Sequence, residues 1–254
     1  MARRRELDAL NSFRFPCVIW FPMRALLPLL GFLALLTLSR AADVPAWNFV
    51  AECQMVVLPQ KIALPLIDDL LDDAKSEAAY ARIQEQIVSS TAQLAGHLLV
   101  KLPNNERAVA ETVEHMRYAT EFDPPKLPDN APDDAKVLKE WPSIGITPTA
   151  FETRNIGASL ELEITPRPDG QTFHTAVVCQ HIRFLRWSKT DAGKLATGEH
   201  LSVEQPIFHT AKNTCSLVLR SGQRVLLGVH KIPDTADSLE LFLFRVTATP
   251  IGPR

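Results

Sequence analysis

The seven histidines of this 254-residue chain are His97, His115, His174, His181, His200, His209 and His230. They are the side chains with most to offer acid–base or metal chemistry, and they are scattered. None sits in the helical two-His motif of a zinc hydrolase, and there is neither a Gly-x-Ser-x-Gly elbow nor a phosphate-cradling glycine loop. His174 and His181 stand an odd number of residues apart on one expected strand, so they point to opposite faces. Glu161 and Glu163 do share a strand face, about 7 Å apart along the chain, a spacing that suits paired carboxylates. A hydrolase built on these Glu and His residues is one reading; the solvated face of a half-buried strand accounts for the same two Glu. Asp68, Asp69, Asp72 and Asp73 have the charge for a cation but lack the glycine turn and further ligands of a calcium loop, and read as the wet side of a helix. The residues therefore predict no catalytic, cofactor-binding or metal-ligating site, no cofactor, and a protein that is not an enzyme.

Cysteines add little chemistry. Cys53, Cys179 and Cys215 lie in apolar runs, where a thiol behaves as a small hydrophobe. An oxidising compartment permits one disulfide among them and leaves one thiol over; three buried free thiols is the other reading. Paired spacing of the kind zinc sites use is missing.

The elements that would position these side chains follow from composition. With 46% hydrophobic, 22% charged and 7% aromatic residues, the chain is neither disordered nor a polytopic membrane protein. Its formal charge of −2 gives no reason to expect a nucleic-acid partner. Nineteen Pro against ten Gly predict defined turns. Arg3, Arg4 and Arg5, the apolar run Ala25 to Leu38, and Ser39-Arg40-Ala41 have the layout of a secretory signal peptide over residues 1–41. Met23-Arg24, just before the run, makes the more ordinary start. Its competitor is an uncleaved inner-membrane anchor from Phe15 to Leu38, burdened by Arg24 near its middle. Cys17 lacks the small residues before it that a lipoprotein anchor needs. Cleavage would take six of the 27 basic residues and two of the 29 acidic ones, leaving a net charge of about −6.

Residues 42–254 then read as a single α+β domain. Asn48 to Leu58 is an apolar, Val-bearing strand. Leu64 to Ser89 carries Leu66, Ile67, Leu70, Leu71, Ala78, Ala79, Ile83 and Ile87 at helical spacing, as one long helix or two short ones. Strands follow at Gln93 to Leu102 and Ala108 to Tyr118, with a turn at Pro103-Asn104-Asn105. Phe122 to Pro148 is a Pro-rich connection with at most a helical turn near Lys136. Ile156 to Ile164 alternates strictly and forms a strand, Pro166 to Gln171 turns, and Thr172 to Trp187 returns as a long hairpin. Glu204 to Arg220 and Arg224 to Val229 make a second hairpin about Ser221-Gly222-Gln223. Leu239 to Ala248 is apolar on both faces and therefore central. The fold class is α+β, a mixed to mostly antiparallel sheet of long hairpins with the N-terminal helical segment packed on it.

Four segments in order resemble the C-terminal secretin domain of bacterial type II and type III secretion and type IV pilus channels. Leu102 to Tyr118 is similar to the family's turn of paired Asn or Gly, here Asn105, followed by Ala108 and a strand ending near a Tyr. Asn155 to Pro166 is similar to its Val-Gly-Val-x-Leu-x-Val-x-Pro strand, with Gly157, Leu160 and Pro166 in place and Asp169-Gly170 turning after it. Gln205 to Gly228 carries Pro206, Gly222-Gln223 and Leu227-Gly228, in the order of the family's Pro and Asp-Gly-Gln-Thr-Val-x-Leu-Gly-Gly-Leu. Leu239 to Pro250 resembles its terminal strand. The family's second glycine after the Gly-Gln turn is Val229 here, and His230 to Ser238 replaces the stretch that usually follows. Only about 60 residues separate the expected cleavage site from Leu102, which leaves no room for the family's N-terminal ring modules.

The resemblance implies an exported structural or interaction protein of the cell envelope of a Gram-negative-type bacterium, periplasmic or associated with the outer membrane. It would self-associate or bind other envelope and secretion components and be linked to protein secretion; the residues identify no small-molecule substrate. A monomeric periplasmic binding module that keeps the fold without a channel role is the alternative.

Overall fold

The computed structural model describes residues 46–125, 145–194, 198, 200–233, 235 and 237–251. The expected leader at 1–41, and 126–144 of the Pro-rich connection with Lys136, lie outside the described residues. Ten elements follow one another. They are β1 (Trp47–Pro59), α1 (Gln60–Leu71), α2 (Ser76–Val88), β2 (Gln93–Pro103), β3 (Arg107–Asp123), β4 (Thr147–Pro166), β5 (Thr172–Lys194), β6 (His200–Arg220), β7 (Arg224–Lys231) and β8 (Ser238–Pro250). Two four-stranded sheets result, an inner one in the order β2-β1-β8-β7 and an outer one in the order β3-β4-β5-β6. Every ladder is antiparallel.

The central strands of the inner sheet, β1 and β8, are buried on both faces, which is why they read as nearly continuous apolar runs, whereas the edge strand β2 keeps one wet face. Phe49, Ala51, Cys53 and Met55 of β1 and Phe242, Phe244 and Val246 of β8 face the outer sheet. There they meet Leu160, Leu162 and Ile164 of β4 and Phe173, Val177 and Cys179 of β5. Val56, Leu58, Leu241 and Leu243 face the other way and bury Ala63, Leu66 and Leu70 of α1 with Ala79 and Ile83 of α2. Three layers follow: helices, inner sheet, outer sheet. The helical pattern over 64–89 breaks into two helices because Asp72 turns the chain, accepting the Ala74 N–H on its side chain at 2.9 Å and the Ser76 N–H on its carbonyl at 2.9 Å.

One expectation is corrected. β6 and β7 are not a hairpin: β6 pairs with β5 and β7 with β8. The Ser221-Gly222-Gln223 turn steps from one sheet to the other. Cys215, Leu217 and Leu219 of β6 and Val225 and Leu227 of β7 are apolar and enter the same core, and two stacked sheets bring them face to face where a hairpin would leave them side by side. The turn is fastened to β8, Gly222 N–H donating to the Val246 carbonyl at 2.7 Å and Ala248 N–H to Ser221 Oγ at 2.9 Å.

The outer sheet is continuous only over half its length. The β4–β5 ladder runs from Pro166↔Phe173 to Gly157↔Ile182 and stops. Beyond it β3 and β4 remain paired as far as Asp123↔Thr147, so both ends of the expected 122–148 connection are strand. Likewise β5 and β6 remain paired as far as Lys194↔His200. The sheet thus splits into two two-stranded ribbons. Gly157 sits at the fork with φ +124, and a Cβ there would lie 2.2 Å from the Thr112 carbonyl oxygen. Only glycine fits that backbone.

Candidate functional site

The fork is the part of the surface with the most structure to explain. Where the ribbons part, Glu114, Met116, Ile156, Gly157, His181 and Phe184 line an open cavity of about 660 Å³. Farther out the ribbons lean on each other through rings and cations. Tyr118 of β3 lies 5.6 Å from Phe208 of β6. Arg154 of β4 stands over Phe208 at 4.9 Å and donates to Thr210 Oγ1 at 3.3 Å. Phe151 and Trp187 stay exposed, although Arg117 covers the Phe151 ring at 4.5 Å.

The base of the cavity is polar. Glu240, in the apolar run of β8, is wholly buried and points at the outer sheet. Its Oε1 accepts from His181 Nδ1 at 2.6 Å and from Arg183 Nη2 at 2.7 Å. Burial raises the Glu240 pKa, but the His181 hydrogen bond and the Arg183 charge outweigh it and hold the carboxyl below its ordinary range. Glu240 is therefore ionised and His181 Nδ1 carries the donated proton, so the 3.2 Å approach of Arg183 Nε to the same nitrogen is packing. His209 lies opposite Arg183 and His230 opposite Glu240 in their ladders. Burial lowers the His209 pKa, with Glu240 opposing. His230 Nε2 bonds Asn213 Oδ1 at 3.1 Å, while Glu240 Oε2, His209 Nδ1 and Asn213 Nδ2 have no hydrogen-bond partner among the described residues. This cluster clamps the two sheets together where the outer one begins to fork.

A second buried carboxylate, Glu52 of β1, faces the helices. Its oxygens take Arg245 Nη2 at 2.7 Å, Gln54 Nε2 at 2.8 Å and His97 Nε2 at 3.1 Å. Arg224 completes the network, 4.0 Å from Glu52 and stacked over the Tyr80 ring at 3.3 Å. Neither cluster was visible as a cluster in the sequence. The signal for Glu240 was a lone carboxylate inside Leu239-Glu240-Leu241-Phe242.

The side chains a hydrolase would need are not brought together. Glu161 and Glu163 line a separate open hollow of about 410 Å³ that holds no histidine, and Glu161 pairs with Arg107 at 2.5 Å. His174 is exposed on β5 and His181 buried, on opposite faces. Asp69 pairs with Lys75 and Arg82, and Asp73 accepts from Gln223 at 3.2 Å. Among the described residues, no three His, Cys, Asp or Glu side chains gather closely enough to hold a metal ion. No described helix is long and apolar enough to cross a membrane.

The motif residues are spread through turns and ladders. Asn105, at φ 61, donates its N–H to the Ile164 carbonyl at 2.9 Å and ties the β2–β3 turn to β4. Ala108 pairs with Leu162, and Leu160 with Ala110 and Cys179 in the core. Pro166 ends β4 opposite Phe173, and Gly170, at φ 62, closes the next turn. In that turn the Thr172 hydroxyl and the backbone N–H groups of Gln171 and Thr172 pull the Asp169 pKa down to about 2. Pro206 pairs with Trp187 on the distal ribbon. Gly222 has φ 82, and Gln223 accepts the Arg220 N–H at 3.0 Å. Gly228 lies against Asn213, whose Oδ1 would be 2.0 Å from an added Cβ.

No family model and no curated protein matches the chain. Among solved structures, it is similar to the InvG secretin domain β-barrel of the Salmonella SPI-1 injectisome, at 10% identity and a TM-score of 0.40 over 89% of this chain and 69% of that one. Similarity extends to the type II secretion system secretin GspD of E. coli K12, at 12% identity and a TM-score of 0.37 over 89% of this chain. The chain spans about half of that protein, 54%. The type IV competence pilus secretin PilQ of V. cholerae is similar at 13% identity and a TM-score of 0.32, over 87% of this chain and 65% of that one.

Proposed function

We propose that residues 42–254 form one exported, non-enzymatic domain of the cell envelope, and that copies assemble edge to edge into a closed ring as part of secretion machinery. The supporting observation is the forked sheet. Beyond Gly157 and Ile182 each ribbon has, among the described residues, two strands and two open edges, and an isolated two-stranded ribbon is marginal in water. Open edges of this length are either covered or paired. Because strands alternate in direction across β3-β4-β5-β6, β6 of one copy and β3 of the next run antiparallel, so a rotational repeat continues the sheet and closure pairs the β3 and β6 edges, giving each ribbon a third and fourth strand. The four ordered motifs shared with secretin domains supply the kind of assembly; the periplasm or the outer-membrane surface is its place.

A monomeric binding module is the second reading, favoured by the open cavity at the fork. Light scattering after size exclusion, with and without mild detergent, separates the two. The ring reading expects a single species of many copies. A 1:1 monomer in both buffers at high concentration overturns it and leaves the binding module.

A further inference from the structure

β1 and β5 belong to different sheets, and across the core between them Cys53 Sγ and Cys179 Sγ lie 2.8 Å apart. Both side chains are fully buried. Two unbonded sulfurs do not rest this close, and a small shift brings them to the S–S bond length of about 2.05 Å. Within its own sheet Cys179 faces Leu160 and Asn213, so its nearest thiol is across the sandwich. Cys215, opposite Val177, is half-buried and lines the hollow that holds Arg107 and Glu161. It is the thiol left over.

We propose that Cys53 and Cys179 are the two halves of a disulfide that staples the inner sheet to the outer one. The oxidant is a disulfide-bearing thiol reagent or protein, R–S–S–R. One cysteine thiolate attacks it, breaking R–S–S–R, forming a mixed disulfide and releasing one RS⁻. The second cysteine thiolate attacks the protein sulfur of that mixed disulfide, forming Cys53–Cys179 and releasing the second RS⁻. The two protons given up by the cysteines end on the two RSH, and two electrons pass to the oxidant. The neighbouring Cys179 and burial push the Cys53 thiol up, which disfavours the attacking thiolate in the closed core. The bond therefore forms while the sheets are coming together. It closes a sequence separation of 126 residues, long enough for a large loss of unfolded-state freedom. The inference is independent of whether a ring forms.

The test refolds the full chain in oxidised and reduced glutathione, alkylates it under denaturing conditions without reductant, and maps the peptides by mass. The expected product is a Cys53–Cys179 linked peptide, with Cys17 and Cys215 alkylated. Reduction before alkylation exposes all four cysteines. Reductant lowers the Tm of the wild type by on the order of 10 °C and leaves the Tm of the Cys53→Ala, Cys179→Ala double variant unmoved. Cys215→Ser keeps the linked peptide. Alkylation of both Cys53 and Cys179 without reductant overturns the proposal, as does a Cys179–Cys215 link.

Discussion

Glu240 shows how one buried charge is made tolerable. A carboxylate with no exposed surface survives because a guanidinium and an imidazole N–H converge on one oxygen. Replacing it with Gln leaves Arg183 and His181 facing a neutral amide. Glu240→Gln is expected to lose about 3–5 kcal/mol, read as a lower urea midpoint. The pH dependence has a definite sign. The folded pKa of Glu240 lies below its ordinary 4.5, so its contribution is complete above about pH 4.5 and disappears as pH falls through the folded value. Wild type should lose urea resistance on acidification below that pH, and the variant should lose less. Equal slopes would mean that the His181 and Arg183 bonds do not hold the carboxylate. Gly157 carries a steric prediction at the same scale. Gly157→Ala places a methyl group 2.2 Å from the Thr112 carbonyl oxygen at φ +124, and is expected to cost between about 2 and 5 kcal/mol in thermal or urea unfolding.

Among the elements, α1 holds a correctable fault. Pro65 lies inside it and is exposed; it cannot donate to the Lys61 carbonyl and crowds the preceding turn. Pro65→Ala is expected to stabilise the protein by about 1–3 kcal/mol, seen as a higher Tm. How far such elements were legible depended on what the pattern had to encode. The alternation from Ile156 to Ile164 marks a strand with one wet face, and β4 buries Ala158, Leu160, Leu162 and Ile164. The nearly continuous apolar runs of β1 and β8 mark strands covered on both sides. The crossing at Ser221-Gly222-Gln223 was not legible, because a turn between stacked sheets uses the same residues as a hairpin turn. β3 was hard to read for a related reason. Its Ala, Glu, Met and Arg residues serve a ribbon wet on both faces, where no buried face enforces a period of two. The carboxylate clusters were illegible as well, since Glu240 meets His181 and Glu52 meets Arg245 across 59 and 193 residues.

At the scale of the molecule, the three-layered half and the forked half should differ in stability. Strands between two covered faces open only with the whole domain, whereas two-stranded ribbons open locally. Hydrogen exchange on a dilute monomer is expected to show β1, β8 and residues 158–164 protected and residues 115–123 of β3 and 200–208 of β6 exchanging quickly. In an assembled ring the second group should slow by at least tenfold; unchanged exchange there would count against edge pairing. The inner sheet also has a consequence for how the chain is made. Its central ladder joins the first strand to the last, Trp47 to Pro250, and the whole outer sheet is inserted between β2 and β7. β1 therefore waits for its main partner until β2 to β7 have all emerged. Such non-local pairing folds slowly, on a scale of milliseconds to seconds. Throughout synthesis the sticky run from Phe49 to Leu58 stands half-paired, so a chaperone that shields this one segment would do most to keep the nascent protein from aggregating.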